Sequence, residues 1–368
     1  MRIKNVTMID HLSGWNIKDI SFQPLTLLVG ASGVGKTKIL KALLEITNIA
    51  KGKSYNGVEW SISFEHQSSF YLWSGAFDII GEDDINFFDK GERNYTINRE
   101  LLICDNTTII DRTFDKLLYH GQETLRLDAA QSAIALLKEE VDIKPVSEAF
   151  SQVFKLENEN FGIRISATLS KKREQLKDTN AIHGSRILSP VEKLFVLHKN
   201  GLPQFSQIVE IFKDIFPLVE SVDFSKEQFF DGTAVPILRI KEKGVKSWIM
   251  QSEISSGMYR TLSQITILAL AQDGDVILID EFENGLGVNC IDRLADQMIN
   301  PEKDIQVIIT SHHPYIINNI PFSRWKIVTR EHSSVKVLSA SDLNIGTHSK
   351  HDAFMQLIQT NAFKTGQQ

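Results

Sequence analysis

Cysteine is scarce: two in 368 residues, Cys104 and Cys290, far apart and with no CxxC pair. That sets aside a disulfide framework or a cysteine zinc site, and it fits a reducing compartment. No apolar run approaches the roughly 20 residues that span a bilayer. The opening MRIKNVTMIDHLSGW lacks the apolar segment of a signal peptide. These absences predict a soluble, cytoplasmic chain with no membrane partner. An excess of basic charge is missing too. Lys and Arg number 40 against 46 Asp and Glu, for a net charge of −6. That argues against a surface coated for nucleic acid, though a local basic patch stays open. Sustained heptads are absent, which excludes a long coiled-coil arm. Internal repeats and low-complexity tracts are absent as well.

What is there concentrates in four short stretches. Residues 25–37 read LTLLVGASGVGKT. The apolar run from Leu25 to Val29 predicts a buried parallel strand. Gly30-Ala31-Ser32-Gly33-Val34-Gly35-Lys36-Thr37 then matches GxxxxGK[ST] in full. The following KILKALLEI places Ile39, Leu40, Leu43 and Leu44 on one helical face. A strand before and a helix after are the context a phosphate loop requires. Glycines let backbone N–H groups curl around phosphate oxygens, and the helix N-terminus adds its positive dipole end. Lys36 is expected to reach the β- and γ-phosphates, and Thr37 to offer a hydroxyl to Mg²⁺.

Residues 275–287 read DVILIDEFENGLG. Val276 to Ile279 predicts a second buried strand, ending in the adjacent carboxylates Asp280 and Glu281. Strand C-termini of a parallel sheet face the ligand. Asp280 is expected to hold Mg²⁺, directly or through water, and Glu281 to orient and deprotonate the attacking water. Residues 305–314, IQVIITSHHP, repeat the design. His312 is the candidate for sensing the γ-phosphate, because Pro314 is expected to start the next helix and His313 stands nearer that turn.

In EISSGMYRTLS, at 253–263, Ser255 and Ser256 read as the cap of a helix over MYRTLSQITILALA. Together with GASGVGKT, VILIDEFENGLG and IITSHHP, in that order, this stretch resembles the ABC-type ATPases of the RecF/SMC/OLD branch. EISSGMYRTL is similar to the family's signature motif and ENGL to its D-loop. The likeness covers roughly residues 1–50 and 235–335. It implies ATP and Mg²⁺ as cofactors and a head-to-tail homodimer, with higher oligomers open. Ser255, Ser256 and Gly257 would then face the γ-phosphate held by the other copy. The signature lacks the second glycine of the transporter form, and Gly287 stands where relatives often carry histidine or aspartate. The family's glutamine loop has only Gln131, in LRLDAAQSAIALL, as a candidate.

The expected fold is therefore α/β: a P-loop NTPase of ABC-ATPase type. It has a mixed, largely parallel core, an antiparallel β lobe and a helical insertion. Residues 1–127 would form the first part of the core and the lobe, where VEWSISFE alternates as a half-buried strand and its aromatics read as core. Residues 128–234 would be the mainly helical insertion, with the basic run SKKREQLK at 170–177 as a solvated face. Residues 235–335 would complete the core, and 336–368 would be a C-terminal extension with no room for a TOPRIM nuclease domain. By resemblance, the activity is a slow, regulatory ATP hydrolysis. It would control a separate effector, a nuclease or toxin, as in OLD-like anti-phage defence. The alternative is a RecF/SMC-like repair ATPase that clamps DNA. A transporter subunit is disfavoured by the signature and by the length of the insertion.

Overall fold

Five consecutive residues of the strand Leu25–Val29 are buried, Thr26 included. Such a strand is covered on both faces, which is why its sequence does not alternate. Val276–Ile279 and Gln306–Thr310 are buried along their whole length for the same reason. These strands pair in parallel, with Val276 opposite Gln306 and Leu25 opposite Val307. Trp325–Glu331 runs parallel on the other side of Leu25–Val29, with Trp325 opposite Leu27.

The computed structural model describes residues 1–80, 95–156, 167–228, 234–345 and 349–367. The charged stretch 81–94, read from sequence as a loop, lies outside the described residues. The chain forms two compact units, each assembled from separated segments. The first comprises Met1–Lys155, Asp273–Phe282 and Asp304–Gln368; the second comprises Leu156–Gln272 and Glu283–Lys303.

The first unit is built on a 14-stranded sheet. Val153–Leu156 lies at one edge, beside Val276–Ile279. Ser334–Ser339 turns back antiparallel from Trp325–Glu331, then meets Asn16–Ser21 in parallel. Beyond it the strands are antiparallel: Arg2–Asp10, Val58–His66, Ser69–Phe77, Ile97–Cys104 and Thr107–Thr113. Val58–His66 alternates as its sequence does, with Val58, Trp60, Ile62 and Phe64 buried. Trp60, Trp73, Phe64, Phe77 and Phe150 interlock with ring centroids 5.2–5.3 Å apart. A Cβ on Gly75 would lie 2.4 Å from the Trp60 ring, so glycine makes room for it. Each such buried aromatic contributes on the order of 1.5–3 kcal/mol of transfer energy. These five aromatics are core, whereas Phe70 and Phe114 of the same lobe are exposed.

The second unit packs helices on a small antiparallel sheet of Val219–Gln228, Ala234–Glu242 and Ile249–Met250. Its helices Pro190–Lys199, Pro203–Ile215 and Val288–Ile299 gather round Ser256–Leu270. Ser189 and Glu192 close a reciprocal capping box at the start of Pro190–Lys199. The run at 170–177 is not uniformly a solvated face. Lys171 and Lys177 are exposed, but Arg173 is buried and donates to the Glu192 carboxylate at 2.9 Å. A buried guanidinium needs such a partner, and the same glutamate that caps the helix supplies it.

No described helix is long and apolar enough to cross a membrane.

Candidate nucleotide site

The phosphate loop owes its shape to three left-handed glycines. Gly30 has φ +145°, Gly33 +81° and Gly35 +108°. At Gly30 a Cβ would also sit 2.5 Å from the Val328 carbonyl oxygen of the neighbouring strand. Gly35 starts the helix Lys36–Ala50 and offers no side-chain cap. Backbone N–H groups at such an end are suited to an anion. The Lys36 ammonium is folded onto its own loop, donating to the carbonyls of Gly30 at 2.7 Å and Ala31 at 2.9 Å.

Asp280 is held from several sides. Its Oδ1 accepts from Thr37 Oγ1 at 3.2 Å and from Thr310 Oγ1 at 2.7 Å, and its Oδ2 faces Lys155 Nζ at 3.5 Å. Thr37 comes from the phosphate loop and Asp280 from the end of Val276–Ile279, so the sheet joins residues 243 positions apart. The next residue, Glu281, is left-handed at φ +47°. That conformation costs a non-glycine residue about 1–2 kcal/mol. Its N–H donates to Thr310 Oγ1 at 2.8 Å.

These groups border a cavity of about 320 Å³, lined by Ser32, Gly33, Gly35, Lys36 and Thr37 of the loop and by Glu281, Thr310 and His312. Small-molecule sites begin at roughly this size. The neighbouring histidines are separated by the fold. His312 lines the cavity, whereas His313 caps the helix Pro314–Asn319, its Nδ1 accepting from the Tyr315 N–H at 3.3 Å. The hard oxygen donors of Thr37 and Asp280 suit Mg²⁺, which keeps several waters and takes phosphate oxygens rather than an all-protein cage. Among the described residues no group of three or more His, Cys, Asp or Glu stands together.

Five lining or bordering residues were not singled out from sequence: Trp15, Lys38, Lys155, Thr310 and Arg330. Trp15 lines the cavity, with Lys38 Nζ at 4.5 Å and Arg330 Cζ at 4.4 Å from its ring centroid. Arg330 also donates to the Gly33 carbonyl at 3.2 Å. Its own N–H reaches the Gly366 carbonyl at 2.8 Å, so the C-terminal segment braces the loop. Lys155 comes from a four-residue edge strand too short to show a period. A lone tryptophan in LSGW and a lone lysine in VFKL carry no spacing signal.

Gln131 is not brought to this cavity. Its amide donates to Asp128 Oδ2 at 3.1 Å, and its side chain lies against Gly52. A neighbouring carboxylate satisfies it locally.

The signature stretch belongs to the second unit. Ser255 caps the helix Ser256–Leu270, accepting from the Met258 N–H at 3.2 Å, and Ser255 and Ser256 are exposed. Gly257 abuts the turn of ENGLG: a Cβ there would meet the Gly285 carbonyl at 2.9 Å. Arg260 of the same helix donates to the Asn284 carbonyl and packs over Gly285. Two glycines and one arginine therefore fix the helix end against that turn.

Among curated proteins, none matches the chain. Solved structures similar to it include SMC heads. The SMC head bound to the C-winged helix domain of ScpA is 16% identical, covering 92% of this chain and 97% of that one, with a TM-score of 0.47. The Smc head with an extended coiled coil, bound to the C-terminal domain of ScpA derived from Pyrococcus furiosus, is 15% identical, covering 93% and 97%, with a TM-score of 0.47. The SMC head from Thermotoga maritima is 13% identical, covering 92% and 99%, with a TM-score of 0.42. The family described as "AAA domain, putative AbiEii toxin, Type IV TA system" matches residues 25–318. That match runs from the phosphate-loop strand to the helix after His312, and the chain belongs to this family of P-loop ATPases.

Proposed function

We propose that the chain is an ABC-type regulatory ATPase that binds ATP with Mg²⁺, closes as a head-to-tail homodimer and controls a separate effector in bacterial anti-phage defence. The observation that carries the ATPase reading is the Thr37–Asp280 hydrogen bond at 3.2 Å, bordering the cavity that Lys36 and Glu281 line. It joins a phosphate-loop hydroxyl to a strand-end carboxylate.

Each residue has a task within that geometry. Lys36 exchanges the Gly30 and Ala31 carbonyls for phosphate oxygens. Thr37 and Asp280 hold Mg²⁺, which when bound neutralises charge on the phosphates. Glu281 accepts a proton from the attacking water, and His312 donates to the terminal phosphate. Ser255, Ser256 and Gly257 form an exposed, capped helix end that suits the phosphates of a second copy. A place in a defence or conflict system is supported by the family description, which names a putative AbiEii toxin of a Type IV TA system. The effector's chemistry is a nuclease or a toxin.

The test is a pair of variants. Lys36→Ala should abolish ATP binding. Glu281→Gln should keep binding, slow hydrolysis by about 10²–10⁴-fold as for loss of a general base, and accumulate an ATP-bound dimer. Wild-type hydrolysis by Glu281→Gln would remove the assigned base. For the effector, phage protection by the chain expressed without any neighbouring gene would overturn the control reading. Salt-sensitive, ATP-dependent binding to duplex DNA would replace it with a DNA clamp.

A further inference from the structure

We infer that Thr310 is a positioning residue: its hydroxyl ties the Asp280 carboxylate to the Glu281 amide and so holds the turn that brings both carboxylates to one cavity. The inference rests on the ATPase reading above and assigns a role to a residue outside the phosphate-loop and carboxylate motifs.

Thr310 is 1% exposed and ends a strand whose preceding residues are Val307, Ile308 and Ile309. A valine would fill the same volume there. A buried hydroxyl instead must find partners, and this one finds two. Its polarity is fixed by elimination. The Glu281 N–H can only donate, so Thr310 Oγ1 accepts from it, at 2.8 Å. The single hydroxyl proton is then left for Asp280 Oδ1, at 2.7 Å. Thr310 also uses its carbonyl, which accepts from the Phe282 N–H at 3.1 Å. One residue thus grips three consecutive positions of the neighbouring chain segment.

What the grip achieves follows from strand geometry. In an extended strand, successive side chains point to opposite faces. Asp280 and Glu281 would be split between faces if the strand continued. The left-handed Glu281 breaks that alternation. As a result Glu281 lines the cavity, while Asp280 bonds Thr37 and Thr310, which line the same cavity. Glutamate has no intrinsic preference for a left-handed backbone. The hydrogen bond from its N–H to Thr310 therefore stabilises the conformation that the site needs.

The test compares Thr310→Val and Thr310→Ser with the wild type. In Thr310→Val the Glu281 amide should exchange with solvent faster. The value of kcat should fall about 10- to 100-fold, as for loss of a group that orients a metal ligand. ATP affinity measured without Mg²⁺ should be unchanged, and the Mg²⁺ concentration for half-maximal rate should rise. Thr310→Ser, which keeps the hydroxyl, should restore all of these. Wild-type kcat and wild-type Glu281 protection in Thr310→Val would overturn the inference. So would equal loss of ATP binding in both variants with lowered urea midpoints, which would mark a packing role only. If the wild-type chain shows no Lys36-dependent hydrolysis, the proposed function fails separately. Amide exchange at Glu281 still reports whether the hydroxyl holds the turn.

Discussion

The two halves of the 14-stranded sheet follow opposite rules. Around Leu25–Val29 the strands are parallel, buried on both faces, and lead into Gly30, Asp280 and Thr310 at their ends. From Arg2–Asp10 outward they are antiparallel, alternate in burial, and carry aromatics inward. Parallel strands deliver their C-terminal ends to one side, so a few polar residues at those ends converge. Antiparallel strands alternate direction and gather no such set of ends. One half therefore gathers the candidate site at its strand ends, and the other packs the aromatic cluster.

That division can be broken from either side. The largest effect on the site should come from Gly30→Ala. Its Cβ would enter contact with the Val328 carbonyl at 2.5 Å, at a φ that alanine rarely adopts. ATP binding in equilibrium titration should be lost, although the antiparallel half stays folded by tryptophan fluorescence. On the other side, Trp73→Ala should cost about 3–5 kcal/mol in urea unfolding, as for a buried aromatic. ATP affinity per folded molecule should hold.

A subtler test uses Glu100, which is buried in the antiparallel half. It accepts from the Trp73 Nε1–H at 3.0 Å and the Ala133 N–H at 2.8 Å. Burial raises its carboxyl above the usual range despite those donors and the Arg112 charge. Folding therefore favours the protonated form. The wild-type chain should lose stability as pH rises from the ordinary value of 4.5 through the raised one. Glu100→Gln, which cannot titrate, should cost about 1–3 kcal/mol at the acidic end, with a penalty that shrinks as pH rises. Urea midpoints across pH would read it, and a penalty that grows with pH would reverse the assigned direction.

The smallest effect is expected for Lys155→Met. The pair with Asp280 is 3.5 Å apart and the lysine is 29% exposed, so its loss should change stability by under about 1 kcal/mol. Removing this competing cation should lower the Mg²⁺ concentration needed for half-maximal ATP binding.

How much of this was legible in the sequence differs by residue. GASGVGKT announced its loop, because three glycines before a lysine and threonine stand between an apolar run and an amphipathic helix, the context that a phosphate loop requires. The strands ending at Asp280 and Thr310 were legible as unbroken apolar runs. The antiparallel pair was legible in the alternation of VEWSISFE. Trp15, Lys155 and Arg330 were not, because each is isolated in sequence and gains its place only by the pairing of distant strands. Gln131 shows the converse. Its sequence setting suggested a ligand contact, and a carboxylate three residues away engages it instead.

The sequence by itself determined the phosphate loop, the buried strands, the capped helix at Ser255 and the pair of adjacent carboxylates. All are local patterns, set by backbone sterics and burial over a few residues. Only the tertiary structure decided which hydroxyl grips Asp280, that Glu281 turns left-handed, and that the compact units are each assembled from separated segments. Those facts depend on strands nearly 250 residues apart lying within hydrogen-bonding distance, and sheet order is set by the packing of the whole core.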